Sequence, residues 1–261
     1  MLRFACLASG SQGNCLVAEV AEATGATRVM IDCGLSLRET ERRLARCGLE
    51  PSAIDAVLVT HEHGDHAGGV FEFAAAHAKT VCLTHGTLAA LRAEGKVLDG
   101  VKTTFLSGRE TLAIGGIEVQ PFTVPHDARE PVQFVLSDGR ARFALLTDIG
   151  VSTPHVERSL CGLDALVLEC NYDNDMLWGG AYPRWLKERI AGPFGHLDNR
   201  VAARLLAAVD RSKLKHVIGA HLSQQNNTPE IARNALASAM GCSPDWISLA
   251  TQDEGFDWRE A

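Results

Sequence analysis

The sequence predicts an α/β protein whose sheets are covered by helices. Short β-rich apolar runs alternate with helix-patterned segments along the 261 residues, and no Pro/Gly/Ser linker, internal repeat or low-complexity block interrupts them. Hydrophobic residues make up 46% and charged residues 22%, the balance of an ordinary globular chain rather than a disordered or fibrous one. The length suffices for a sizeable core, so a single domain over residues 1–261 is the economical reading.

The N-terminal runs RFACLA, CLVAEV and RVMID read as successive strands. SLRETERRLARC reads as a helix because Ser36 and Glu39 have capping-box spacing. AVLVT is then a buried strand that delivers the chain into THEHGDHAGG. Later strands are expected at TVCLT, IEVQPFTV, VQFVLS, ARFALLTD and DALVLEC, and helices at TLAALRAE, DNRVAARLLAAVD and TPEIARNALASAM. Thr228 and Pro229 form an N-cap and first-turn pair for the last helix.

A net charge of −7 argues against a protein that grips nucleic acid by bulk positive charge, and leaves room only for a local basic groove or bound cations. The eight cysteines are scattered with no C-x-x-C pair, and several sit in apolar runs, which reads as a reduced, cytoplasmic chain. MLRFACLASGSQGNC has too brief an apolar run for a secretion signal, and no stretch approaches the roughly 20 apolar residues of a membrane span. Neither export nor membrane insertion is expected.

Three of the ten histidines and an aspartate crowd into six positions, as His61, His63, Asp65 and His66. A loop at a strand end could aim two imidazoles at one ion and leave the other pair to a neighbouring ion. Imidazole and carboxylate suit zinc, iron or manganese, and the absence of cysteine from the cluster argues against a purely structural zinc site. Gly64, Gly68 and Gly69 supply backbone freedom for such a turn. The plain alternative is a histidine-rich surface loop, which the preceding buried strand disfavours.

The H-x-H-x-D-H string resembles the signature of the metallo-β-lactamase superfamily, mostly metal-dependent hydrolases with an αββα four-layer sandwich of mixed sheets. Its later motifs have counterparts in order: TVPHD offers His126, LLTDIG offers Asp148 and VIGAHLS offers His221. The resemblance implies two divalent ions per chain, one held by His61, His63 and His126 and the other by Asp65, His66 and His221, with Asp148 bridging them. Asp32, closing RVMID, would orient a ligand histidine without binding metal. Two cations roughly 3.5–4 Å apart can activate a shared water and neutralise charge on the oxygen under attack, so hydrolysis is the expected reaction class. The metal could be zinc, manganese or iron.

The bond attacked must be chosen by other residues, because the superfamily includes β-lactamases, glyoxalase II thioesterases, phosphodiesterases and nucleases. LASGSQGNC, the run LECNYDNDMLWGGAYPRWLKERIAGPFGHLDN and AHLSQQNNTPE closely resemble the YycJ/WalJ (VicX) branch, from Leu7 to about Glu230. That branch is associated with 5′ to 3′ exonuclease action on double-stranded DNA. The resemblance therefore implies DNA ends as substrate, Asp65 and His196 as catalytic groups, and Ser11, Asn14, Asn171, His196 and Asn199 as substrate contacts. His196 would hold the phosphate or protonate the departing sugar oxygen. One departure is Asp198, where the branch usually has serine; a carboxylate there is expected to cap the helix DNRVAARLLAAVD.

Both tyrosines, Tyr172 and Tyr182, and two of the four tryptophans, Trp178 and Trp185, fall between residues 172 and 185, interleaved or followed by Arg184, Lys187 and Arg189. They form either a surface that stacks on bases or a loop packed over the sandwich. Arg200 and Arg204 share a helix face, and this pair and the RRLAR run at Arg42 to Arg46 read as solvated basic faces. Two other functions stay open: a small-molecule hydrolase, as a cyclic phosphodiesterase or thioesterase, and a metal-binding partner in a signalling or repair complex. Oligomeric state is not legible.

Overall fold

The computed structural model describes residues 1–23 and 25–261. In chain order its elements are β1 (Leu2–Ala8), β2 (Cys15–Glu22), β3 (Gly25–Ile31), α1 (Leu37–Arg46), β4 (Ala56–Leu58), α2 (Gly64–Ala67), α3 (Val70–His77), β5 (Thr80–Leu83), α4 (His85–Ala93), β6 (Thr103–Phe105), β7 (Leu112–Ile114), β8 (Ile117–Thr123), β9 (Val132–Ser137) and β10 (Arg142–Leu146). There follow α5 (Pro154–Ser159), β11 (Ala165–Glu169), α6 (Asn174–Gly179), α7 (Arg184–Ile190), α8 (Asn199–Ala208), β12 (His216–Ala220), α9 (Pro229–Met240), β13 (Ser248–Leu249) and β14 (Phe256–Glu260). The strands build two seven-stranded sheets, ordered β14-β1-β2-β3-β4-β5-β6 and β13-β12-β11-β10-β9-β8-β7.

Both sheets are mixed. In the first, β3, β4, β5 and β6 run parallel while β14, β1, β2 and β3 pair antiparallel. In the second, β10 to β13 are parallel and β7 to β10 antiparallel. The layering is legible in the packing. One apolar cluster joins the inner faces of the two sheets, with Phe4 and Phe143 stacked at 4.1 Å between ring centroids. A second joins Phe122, Val135 and Leu168 to α5, α8 and α9, and a third joins Val17, Met30 and Val57 to α1, α3 and α4. Two sheets face to face with helices outside each give the αββα sandwich. Burying both faces explains why the strands DALVLEC and AVLVT are continuously apolar instead of alternating.

Each strand and helix expected from the sequence is present. Asp198 caps α8 by accepting from the Arg200 and Val201 amides, and Thr228 caps α9 by accepting from Ile231. The capping box at Ser36 does not form. α1 starts at the expected place, but Ser36 makes no side-chain cap bond, because Glu39 turns forward to Arg42 and Arg43. Nor is the RRLAR run a uniformly solvated face: Arg43 is buried, and its guanidinium donates to the Leu7 and Gln252 carbonyls, strapping α1 to the sandwich. No helix among the described residues is long and apolar enough to cross a membrane.

Candidate metal centre

The parallel strands discharge their C-terminal ends towards one place. Asp32 directly follows β3, the His61 to His66 run follows β4, Asp148 lies two residues past β10, Glu169 closes β11 and His221 directly follows β12. Such carboxyl ends are where open α/β sheets place ligands. Among the described non-glycine residues, Asp32, Asp148 and His221 have left-handed backbones, with φ of 58°, 54° and 55°, and Ala78 is the fourth. Non-glycine residues tolerate that region at a cost of about 1 kcal/mol or more, and its concentration at three strand ends marks a turn imposed by the site. The loop is also drawn in tightly. A Cβ on Gly34 would lie 1.8 Å from the Asp65 carbonyl, so this position admits only glycine.

All seven residues singled out as ligands come together. Three groups offer ligand atoms within 4.8 Å of one another: His61, His63 and His126; Asp65, His66 and His221; and His61, His66 and Asp148. A fourth joins Asp148 to Glu169, His196 and His221, so Asp148 faces both sides of the cluster. The imidazole nitrogens turned away from the centre are held from behind. His66 Nδ1 lies 2.8 Å from Asp32 Oδ2, His61 Nδ1 lies 3.0 Å from Thr60 Oγ1, His126 Nδ1 lies 3.2 Å from the Gly195 carbonyl, and His221 Nδ1 lies 3.2 Å from Glu169 Oε1. Asp32 also accepts from the Thr60 amide and hydroxyl, both at 2.8 Å. Such partners fix ring orientation and leave Nε2 facing inward.

The donor set fits divalent cations. His61 Nε2, His221 Nε2 and Asp148 Oδ2 are buried without a hydrogen-bond partner among the described residues. Asp148 Oδ2 is 3.1 Å from His66 Nε2, but off the angle of a hydrogen bond. An unpaired buried polar atom costs about 1–3 kcal/mol, and His61 and His221, each grouped with Asp148, are explained by ions that would take these atoms on either side of that carboxylate. The nitrogen and oxygen donors suit zinc, iron or manganese.

Charge in the metal-free chain follows the same pattern. Burial opposes a charged His221, yet Asp148, Asp65 and Glu169 outweigh it and push its pKa up to about 10. His66 is likewise raised against its burial, by Asp148, Asp65 and Asp32. His61, also buried but facing His66, is held well below the ordinary imidazole range. Because the folded pKa of His221 lies above the unfolded value near 6.5, its contribution to stability is full below about pH 6.5 and is lost as the pH rises towards 10. Metal-depleted protein should therefore melt at progressively lower temperature between pH 6.5 and 10, and metal uptake in that window should release protons. A melting temperature independent of pH across the window would contradict this.

Glu169 is the participant that sequence reasoning missed. It is fully buried and joins two histidines, with Oε1 2.7 Å from His196 Nδ1 and 3.2 Å from His221 Nδ1, while Oε2 accepts from the Ile149 and Leu197 amides. The signal was present in DALVLEC, where one carboxylate ends an otherwise apolar strand.

Above the cluster opens a cleft of about 370 Å³. Ser11, Asn171 and His196 lie on its wall, with Asp65, Asp148 and His221 below. Asn14 and Asn199 are off that wall. Asn14 is buried with Nδ2 3.0 Å from His66 Nε2 and 3.2 Å from Asp65 Oδ2. Asn199 exchanges amide bonds with Asn227, tying the starts of α8 and α9. The aromatic stretch divides: Tyr172 is buried, Tyr182 borders the cleft, and Trp178 and Trp185 are exposed. Lys187 is taken up by the Trp178 and Gly180 carbonyls.

Residues 27–221 match the family model described as a beta-lactamase superfamily domain. The chain belongs to the metallo-β-lactamase superfamily. Within it, this chain is 35% identical over 261 residues to "Exodeoxyribonuclease YycJ" of Bacillus anthracis, covering 100% of the chain and 93% of the relative. It is 31% identical over 241 residues to "Exodeoxyribonuclease WalJ" of Streptococcus pneumoniae, covering 91% and 88%. These relatives place it in the YycJ/WalJ branch. Among solved structures, the metallo-β-lactamase fold protein YhfI from Bacillus subtilis superposes with a TM-score of 0.76 at 14% identity, covering 100% of both chains. The metallo-β-lactamase fold, the family and the donor set together make the chain a metal-dependent hydrolase.

Proposed function

We propose that this chain is a cytoplasmic, single-domain phosphodiesterase using two divalent ions, and that it acts as a 5′ to 3′ exodeoxyribonuclease on double-stranded DNA. The observation that carries the metal reading is the set of unpaired buried ligand atoms, His61 Nε2, His221 Nε2 and Asp148 Oδ2, within groups of histidines and carboxylates whose ligand atoms lie within 4.8 Å of one another. The DNA substrate rests on the activity named for the YycJ and WalJ relatives, which match along nearly the whole chain.

His61, His63 and His126 would hold one ion and Asp65, His66 and His221 the other, with Asp148 shared and Asp32 fixing His66. When bound, such ions supply an activated water and neutralise charge developing on the attacked phosphate. The chain's own groups do the rest. Asp65, half-buried at the cleft, is kept ionised against its desolvation by His66 and His221, so it stays available as a carboxylate to hold an ion and orient the attacking water. His196 turns Nδ1 to Glu169, whose carboxylate outweighs burial and raises the imidazole's pKa. The raised pKa favours the protonated ring, and from the cleft wall His196 would donate to the departing sugar oxygen. Ser11 and Asn171 contact substrate, while Asn14 and Asn199 act from behind by fixing Asp65, His66 and the start of α8. His196→Asn should lower kcat by about 10²–10⁴-fold while metal content stays unchanged. Loss of metal in that variant would assign His196 to binding instead.

The deciding experiment compares one duplex, supplied with manganese, in two forms: linear with a 5′ end label, and covalently closed circular. Loss of the linear form from its 5′ ends, with the circle untouched and Asp65→Ala inactive, is the expected result. Turnover of only a small cyclic phosphodiester or thioester, with both DNA forms intact, would leave a metallohydrolase and remove the DNA assignment.

A further inference from the structure

One group at the cleft is not used by this mechanism. Among the described residues lining it, Arg189 is the one permanent cation, against the carboxylates of Asp65, Asp127 and Asp148. It reaches from α7 to the segment after β8, where its Nε donates to Asp127 Oδ2 at 2.7 Å. Its two Nη groups make no hydrogen bond among the described residues, so they remain available as donors. The other oxygen of Asp127 faces the histidines, with Oδ1 3.6 Å from His63 Nε2 and 3.5 Å from His126 Nε2.

The mount of this arginine is fixed. Just beyond it the chain folds back so closely that a Cβ on Gly195 would lie 2.3 Å from the Arg189 carbonyl and 2.2 Å from that of Ile190. The His196 amide donates to the Ile190 carbonyl, the Asp127 amide to that of Phe194, and the Gly195 carbonyl meets His126 Nδ1. The C-terminal turn of α7 is thereby tied to the same residues that build the metal centre. A guanidinium held by Nε and free at both Nη groups matches the oxygens of a phosphate, which it can engage in a fork that an ammonium cannot.

We propose that Arg189, steadied across the cleft by Asp127, binds the terminal 5′-phosphate of a DNA end, one phosphate outward from the bond being cut. The carboxylate decides which phosphate it meets. Asp127 stands between the guanidinium and His63 and His126, so a phosphate centred on the imidazoles is screened from Arg189, and the next one out along the strand is not. The volume of about 370 Å³ suits one nucleotide between those two phosphates. This inference rests on the nuclease reading of the site and gives it a chemical end requirement.

The test uses matched duplexes carrying a 5′-phosphate or a 5′-hydroxyl, read in two ways: as kcat/KM for degradation, and as Kd by fluorescence anisotropy with nuclease-resistant phosphorothioate linkages at the end. The wild type should favour the 5′-phosphate by about 10- to 100-fold in both readings. Arg189→Ala should bring that ratio close to one in both readings, whatever the variant's absolute rate. Arg189→Lys should restore part of the ratio, since a point charge replaces a fork. No preference in the wild type, or one that survives Arg189→Ala, overturns the proposal while leaving the nuclease intact. Phosphate-dependent binding through Arg189 without any cutting of normal duplex would support the phosphate site and remove the nuclease reading.

Discussion

Asparagine in place of Asp148 is expected to strip the protein of bound metal and to lower hydrolysis by about a thousand-fold or more. The size follows from losing several kcal/mol of charge stabilisation, with each 1.4 kcal/mol worth a factor of ten. Asp148 is 2% exposed, and its two oxygens face opposite partners: Oδ2 is 3.1 Å from His66 Nε2, and Oδ1 is 3.8 Å from His221 Nδ1 and 3.9 Å from His126 Nε2. Asparagine keeps the volume and tolerates the left-handed backbone at this position, so the variant should fold. What it lacks is the charge that keeps His66 and His221 raised and that faces both halves of the cluster. Elemental analysis and turnover on the same preparation check the prediction. Retention of two ions and full turnover would falsify the bridging role.

Alanine at Asp32 should act on stability first. The carboxylate is 1% exposed and takes the Thr60 amide, the Thr60 hydroxyl and His66 Nδ1, so its removal takes an acceptor from three buried groups at once, with the Thr60 hydroxyl left to His61 and His66. Breaking a buried charged pair from one side costs about 3–5 kcal/mol, which for a chain of this size is a fall in melting temperature of roughly 10 °C. Burial raises the Asp32 pKa more than His66 and Thr60 lower it, so the carboxylate serves by placing His66 rather than by a net electrostatic gain. Asp32→Asn, which preserves shape, should lose less stability but still weaken metal binding by about 10- to 100-fold, the usual effect of removing a ligand's partner. An Asp32→Ala variant melting with the wild type would show that the Thr60 and His66 contacts carry no weight.

The candidate metal ligands were legible in the sequence because their motifs resemble those of a known superfamily and lie where buried strands stop. An apolar run such as AVLVT or ARFALLTD announces a strand interior, and a histidine or aspartate after it has only the strand end to occupy. Asp198 and Thr228 were legible for a similar reason, since a cap bonds to amides two or three residues away. Ser36 shows the limit of that logic. The spacing to Glu39 was right, but two arginines one turn on took the carboxylate that the cap required.

By itself, then, the sequence determined the α/β architecture, because strand and helix patterns depend on residue type and on neighbours a few positions away, while the seven candidate ligands and the hydrolase class came from the resemblance of its motifs to a known superfamily. The tertiary structure alone decided what stands behind and around them. Glu169 joins His196 and His221 across 27 and 52 positions, Asn14 reaches Asp65 and His66 across about fifty, and Arg189 meets Asp127 across 62. No local periodicity encodes such pairs. They exist because two sheets, packed through Phe4 and Phe143, bring separate strand ends to one edge, and there a buried carboxylate or amide must satisfy whatever polar atom the other sheet presents.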